Sequence, residues 1–180
     1  ETGLQSSQQL WNGQLYDMES IFLYSQARPV RGLSLSLQAR AGGQIDYANS
    51  RLAEELRLQP SVEWNVGRHM LLRLRYTLST LDADDSGVRI FDAELADLRA
   101  TWQFNVRSFV RFTLQQQTVE RNLALYTNPA NTDALSKTRG MQLLYSYQLN
   151  PQTVVFAGYS DNNLQNDDLA TLTRTERTFF

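Results

Sequence analysis

The sequence predicts an all-β chain folded as an antiparallel transmembrane β-barrel, an up-and-down meander of about ten strands that is a whole barrel or part of a larger one. Three observations carry this expectation. Apolar and polar residues alternate with period two over long stretches, short and long connections alternate along the chain, and large aromatics sit just inside the short connections.

The clearest alternation spans residues 56–66, where Leu56, Leu58, Pro60, Val62, Trp64 and Val66 interleave with Arg57, Gln59, Ser61, Glu63 and Asn65. After only Gly67-Arg68-His69 the pattern resumes, with Leu72, Leu74, Tyr76 and Leu78 against Arg73, Arg75, Thr77 and Ser79. Two alternating runs joined so closely predict an antiparallel hairpin. Upstream, Leu33, Leu35, Leu37 and Ala39 alternate with Ser34, Ser36, Gln38 and Arg40, following Tyr24-Ser25 across a turn expected at Arg28-Pro29-Val30-Arg31. Downstream, Leu98, Ala100, Trp102 and Phe104 oppose Arg99, Thr101 and Gln103. A tight Asn105-Val106-Arg107-Ser108 connection leads to Val110, Phe112 and Leu114, whose other face is Arg111, Thr113, Gln115 and Gln117. Leu143, Tyr145, Tyr147 and Leu149 then pass through Asn150-Pro151-Gln152 into a short strand over residues 154–159.

Short turns fall near Pro29, Gly67, Val106 and Pro151, and between them lie the long polar segments 42–51, 81–92, 121–139 and 161–174. Strict alternation places every tight turn at one end of the sheet and every long loop at the other, as in an outer-membrane barrel. Trp64, Trp102, Phe104 and Tyr147 lie close to short turns on the apolar face and are the candidate membrane-interface girdle.

Composition narrows the function classes. The chain has 180 residues, enough for one domain over residues 1–180 or a C-terminal fragment of one. Its 17 basic and 19 acidic residues give a net charge of −2, which offers no field for nucleic acid. Without cysteine and with His69 as its one histidine, the chain has no thiolate or histidine-cluster metal site and no cysteine nucleophile. Lys137 is the one lysine among the cations. No apolar run reaches the roughly 18 residues of a membrane helix, but barrel strands escape that criterion. Glu1-Thr2-Gly3 shows no signal-peptide pattern, so a mature or trimmed chain is expected.

In a membrane barrel the apolar face meets lipid and the polar face lines the interior. Arg57, Glu63, Arg73, Arg75, Arg99, Arg111 and Gln115 are then the lumen-lining candidates. The arginines form a ladder able to attract anions, with Glu55, Glu63, Glu94, Asp97 and Glu120 expected to neutralise it as a structural network. In a soluble β-barrel the faces are exchanged, and the apolar one encloses a hydrophobic ligand.

Several stretches carry a family resemblance: Arg31-Gly32-Leu33-Ser34-Leu35-Ser36-Leu37, Gln44-Ile45-Asp46-Tyr47-Ala48-Asn49-Ser50-Arg51, Thr101-Trp102-Gln103-Phe104-Asn105-Val106-Arg107-Ser108, Gln142-Leu143-Leu144-Tyr145-Ser146-Tyr147 and Leu172-Thr173-Arg174-Thr175-Glu176-Arg177-Thr178-Phe179-Phe180. Together they resemble the C-terminal barrel of a poorly characterised bacterial outer-membrane family, whose members join an N-terminal carbohydrate-binding, family nine-like module to a membrane β-barrel. The resemblance covers essentially the whole chain and contains no catalytic signature. It implies a location and an architecture rather than an activity. Family members would continue beyond Phe180, and Thr178 and Glu176 stand where an assembly signal has apolar residues, so a fragment is expected.

No chemistry of catalysis is legible. His69 sits in a turn beside Arg68, where an interfacial role is expected rather than that of a general base. Asp82-Ala83-Asp84-Asp85-Ser86-Gly87 begins like a calcium loop but lacks the later bidentate glutamate. Asp161, Asp167 and Asp168 read as a second acidic loop at the same end, both loops being solvated or bridged to lipopolysaccharide by divalent cations. Gly42-Gly43 has no phosphate-binding context.

The sequence therefore leads to a bacterial outer-membrane protein, not an enzyme, with no cofactor, no catalytic residue and no resident metal. Its expected role is a pore or transport channel for small solutes or glycans, with a non-catalytic anchor for a carbohydrate-binding module as the alternative. Expected partners are outer-membrane lipid and lipopolysaccharide, the outer-membrane assembly machinery, and a glycan or small solute.

Overall fold

A computed structural model describes residues 1–180 as one ten-stranded antiparallel sheet in which every strand pairs with its neighbours in sequence. The strands are β1 (Thr2–Trp11), β2 (Gln14–Val30), β3 (Leu33–Asp46), β4 (Arg51–Val66), β5 (Met70–Ala83), β6 (Arg89–Asn105), β7 (Ser108–Arg121), β8 (Leu135–Asn150), β9 (Thr153–Gln165) and β10 (Thr173–Phe179). The meander and the number of strands agree with the sequence. Strands β1 and β10 do not pair with each other, so the sheet is open.

The connections differ from the expected pattern in four places. The turn expected at Pro29 forms at Arg31-Gly32, with Gly32 at φ +86°, and Pro29 stays in β2 beside a register irregularity between Ala27 and Val30. Proline is tolerated there because the ladder is already broken. The segments at 42–51 and 81–92 are mostly strand, leaving loops of only residues 47–50 and 84–88. Finally, β1 and β2 meet at Asn12-Gly13, both with positive φ (49° and 81°), a two-residue hairpin turn at the long-loop end. Tight turns are therefore not confined to one end.

Only 16 of 180 residues are buried, so no second layer covers the sheet. The sheet is a single layer, and its leucine-rich face, including Leu74, Trp64, Trp102, Phe104, Leu143 and Tyr145, has nothing packed over it. Seven of the eight buried apolar residues form two small clusters at the long-loop end. Tyr16, Met18 and Ile45 pack with Leu52, and Ala53, Leu81, Ala83 and Ile90 pack with Phe91, Leu125 and Tyr126.

The second cluster closes one end of the polar face, because Ala53, Leu81 and Ala83 share a side with Arg57 and Arg73 along β4 and β5. The β7–β8 connection supplies the cover. It leaves β7, passes over β6 and β5, and ties to the β3–β4 connection, where Arg51 Nη2 donates to the Leu125 carbonyl (3.1 Å) and the Thr127 amide donates to Asn49 Oδ1 (2.7 Å).

Gly42 is the tightest backbone approach in the sheet. Its φ is +138°, and a Cβ there would lie 2.3 Å from the Glu19 carbonyl oxygen and 2.6 Å from Ser20 Cα. Gly42→Ala is expected to destabilise by about 1–3 kcal/mol through strain and displacement of β2. Gly13→Ala, which meets open space at φ +81°, carries only the backbone cost. Unfolding midpoints followed by far-UV circular dichroism test this, and equal midpoints for the two variants would contradict it.

Candidate functional site

Strand register sorts the candidate polar residues onto one face. Glu63 pairs with Arg73, Arg73 with Arg99, Arg75 with Asp97, Asp97 with Gln115, and Arg111 with Thr101, while Arg57 lies opposite Ser79. Arg73 Nε donates to Glu63 Oε2 at 2.8 Å, and Arg57 Nη2 lies 2.8 Å from Glu55 Oε1, which also accepts from Ser79 Oγ at 2.9 Å. The Arg99 and Arg111 Nε atoms have no partner, and Arg111 lies 5.2 Å above the Phe109 ring.

The expected neutralising network is only partly present. Glu94 pairs with Leu78 and Glu120 with Asp92, which places both on the opposite face. Five arginines (Arg57, Arg73, Arg75, Arg99 and Arg111) therefore face three carboxylates (Glu55, Glu63 and Asp97), and the ladder keeps an excess of positive charge. Ser61, Glu63, Arg73, Arg75, Asp97 and Arg99 surround a recess of about 330 Å³. Beside it lies a neutral polar area that sequence reading did not single out. There Ser36 Oγ and Ser61 Oγ are 2.7 Å apart and Gln26 Nε2 donates to Ser34 Oγ at 3.2 Å.

The other face is apolar near the short turns and charged beyond. Its uninterrupted apolar run ends at Leu56 in β4, Leu78 in β5, Ala96 in β6, Leu114 in β7, Met141 in β8, Tyr159 in β9 and Phe179 in β10. The next positions on that face are Glu54, Thr80, Glu94, Gln116, Arg139, Asp161 and Arg177. Register pairs Leu56 with Thr80, Leu78 with Glu94, Ala96 with Gln116 and Met141 with Asp161, but Leu114 with Met141 and Tyr159 with Phe179. At four of the six strand crossings the boundary therefore moves two residues toward the short turns, eight residues in all.

The short turns follow the same diagonal. Leu33 lies opposite Trp64 but β4 runs on to Val66, Met70 lies opposite Trp102 but β6 runs on to Asn105, and Ser108 lies opposite Tyr147 but β8 runs on to Asn150. Eight residues are about 27 Å along a strand and six strand spacings about 29 Å across, so the boundary is inclined by about 43° to the inter-strand direction. Membrane barrels tilt their strands by about 35–45°. The uninterrupted stripe runs eleven residues in β4 (56–66), nine in β5 (70–78), β6 (96–104) and β8 (141–149), and five in β7 (110–114) and β9 (155–159); nine residues are about 20 Å measured perpendicular to its edges.

Trp64, Trp102, Phe104 and Tyr147 all lie on this face near the short turns, with Phe104 and Tyr145 at 6.5 Å between ring centroids. His69 stacks on Trp102 at 5.9 Å and its Nδ1–H donates to the Gln103 carbonyl at 2.8 Å, which fixes it as a turn residue. Asp161 belongs to β9 rather than to a loop, and it pairs with Arg174 at 2.6 Å and Arg177 at 3.9 Å. Asp82 is taken up by Arg89. No three metal-ligating side chains converge.

No family model, curated protein or solved structure matches this chain.

Asp167 ties the two longest loops together, accepting from the Ala134 and Leu135 amides at 2.6 and 3.0 Å. These bonds, the Ala134 one first, hold its carboxyl below the ordinary value of 3.8. A depressed folded value means that the clasp is complete above that range and is lost as pH falls through it. The Ala134 and Leu135 amides should stay protected from hydrogen exchange at neutral pH and open only well below pH 3.8. Asp167→Asn should raise their exchange rates at neutral pH. Protection independent of both pH and the substitution would contradict this role.

Proposed function

We propose that this chain is the wall of a bacterial outer-membrane β-barrel whose polar face lines a passage for small polar solutes or glycans. The observation that carries the reading is the apolar stripe on an uncovered face, whose long-loop edge is inclined as tilted strands crossing a planar apolar slab require. On this reading the long loops face outward, the girdle marks the short-turn interface, and the ladder from Arg57 to Arg111 supplies an interior biased toward anions. The resemblance to barrels that carry a carbohydrate-binding module supports glycans as cargo.

A second reading is a non-catalytic anchor. It is favoured by residues 123–126, whose Leu125 and Tyr126 cover the polar face at its long-loop end.

Far-UV circular dichroism of the refolded chain, with and without detergent micelles, tests the membrane assignment. Cooperative β signal only with micelles is expected, and equal folding in plain buffer would overturn it in favour of a soluble barrel. Within micelles, Leu74→Arg on the stripe should cost about 2–4 kcal/mol, while Gln59→Arg on the polar face should be close to neutral. In planar bilayers, Arg73→Ala with Arg75→Ala should shift ion selectivity toward cations. A bilayer-inserted chain that never conducts would favour the anchor.

A further inference from the structure

The charged belt beyond the stripe is divided by sign. On β4 to β7 it carries Glu54, Asp82, Asp92, Glu94 and Glu120 with Arg89 as the one cation, and Arg89 is bound to Asp82 and Asp92. On β8 to β10 it carries Lys137, Arg139, Arg174 and Arg177 against Asp161 alone. The only lysine in the chain is among these four. Register sets them close together: Arg139 pairs with Asn163, Asn163 with Arg174, and Asp161 with Arg177. Three adjacent strands place the cations within about 10 Å across the sheet, the scale of one phosphorylated headgroup.

The side chains are held but not spent. Arg139 donates through Nε and Nη2 to Gln116 Oε1 at 3.1 and 3.0 Å, which fixes its plane. Arg177 lies 5.8 Å above the Tyr159 ring and Arg174 is clamped on Asp161, yet their side chains remain 45% and 51% exposed. Four cations share one carboxylate, so most of their charge has no counter-ion in the protein.

We infer that Lys137, Arg139, Arg174 and Arg177 form a binding site for the phosphate groups of a lipid headgroup in the leaflet at the long-loop end. This rests on the membrane reading above. The position supports it, because the cations occupy the first rows past the last apolar residues Met141, Tyr159 and Phe179, where acyl chains end and phosphates begin. Planar guanidinium groups suit bidentate contact with phosphate, and Lys137 adds a compact charge. The acidic half, facing the same leaflet, would repel the same groups unless a divalent cation intervened.

The test uses the full chain in phosphatidylcholine vesicles containing diphosphorylated lipid A, with bound lipid counted by native mass spectrometry after extraction. Wild type should retain diphosphorylated lipid A at least ten-fold better than its dephosphorylated form, with millimolar inorganic phosphate failing to displace it. Lys137→Gln with Arg139→Gln should abolish the preference, and Lys137→Arg with Arg139→Lys should keep it. Glu94→Gln should leave it unchanged. Equal retention of both lipids, or a preference that survives the double glutamine variant, would overturn the site while leaving the membrane reading intact. Displacement by inorganic phosphate would replace the lipid site by a free-anion site. A chain that does not enter the vesicles at all would overturn both.

Discussion

The stagger between successive hairpins is the constraint on which the rest depends. Each short turn lies two or three residues further out than the one before it, so the cross-strand rows run obliquely to the line of the turns. A hydrophobic stripe written along the strands faces a flat slab only if its edges follow that obliquity. The edges do follow it, from Leu56 in β4 to Phe179 in β10, although hydropathy and backbone pairing are separate properties of the chain. Period two alone would be satisfied by a stripe running at any angle.

The strands are legible because β3 to β6 each keep a strict alternation for eight residues or more, and β7 and β8 for six, which no helix can reproduce. The loops are less so. Residues 42–46 and 81–83 are polar or small apart from Ile45 and Leu81, yet all remain in the strands, because pairing requires backbone bonds rather than apolar side chains. The Asn12-Gly13 turn carries the standard hairpin dipeptide, but its flanks Ser6-Ser7-Gln8-Gln9 and Asp17 to Glu19 alternate too weakly to draw attention. The misplacement of Glu94 and Glu120 has a different cause. Charge by itself does not mark the polar face, because beyond the stripe the opposite face is charged as well. Their even numbers, shared with Leu98 and Leu114 along β6 and β7, already assigned them correctly.

The two ends of the polar face differ physically. Near the short turns it is a charged and hydroxyl-lined surface with half-exposed Arg73 and Glu63. Toward the long loops it becomes apolar around Ile90 and Leu81 and is covered by Leu125 and Tyr126. The cover is held by the Arg51–Leu125 and Asn49–Thr127 bonds on one side and by Asp167 on the other. The segment is thus tied at both ends across the long-loop end of the polar face.

The most direct test of the central claim uses the absence of cysteine, which allows single spin labels without a background-removal step. Labels placed in turn through β4, β5, β6 and β9 of the vesicle-reconstituted chain report accessibility to oxygen, which concentrates in lipid, and to a nickel chelate, which stays in water. The account predicts alternation within each strand, with high oxygen accessibility ending at Leu56, Leu78, Ala96 and Tyr159, along the diagonal of the register. If those residues were closed to both probes, the leucine face would be a buried core and the lipid-facing assignment would be wrong.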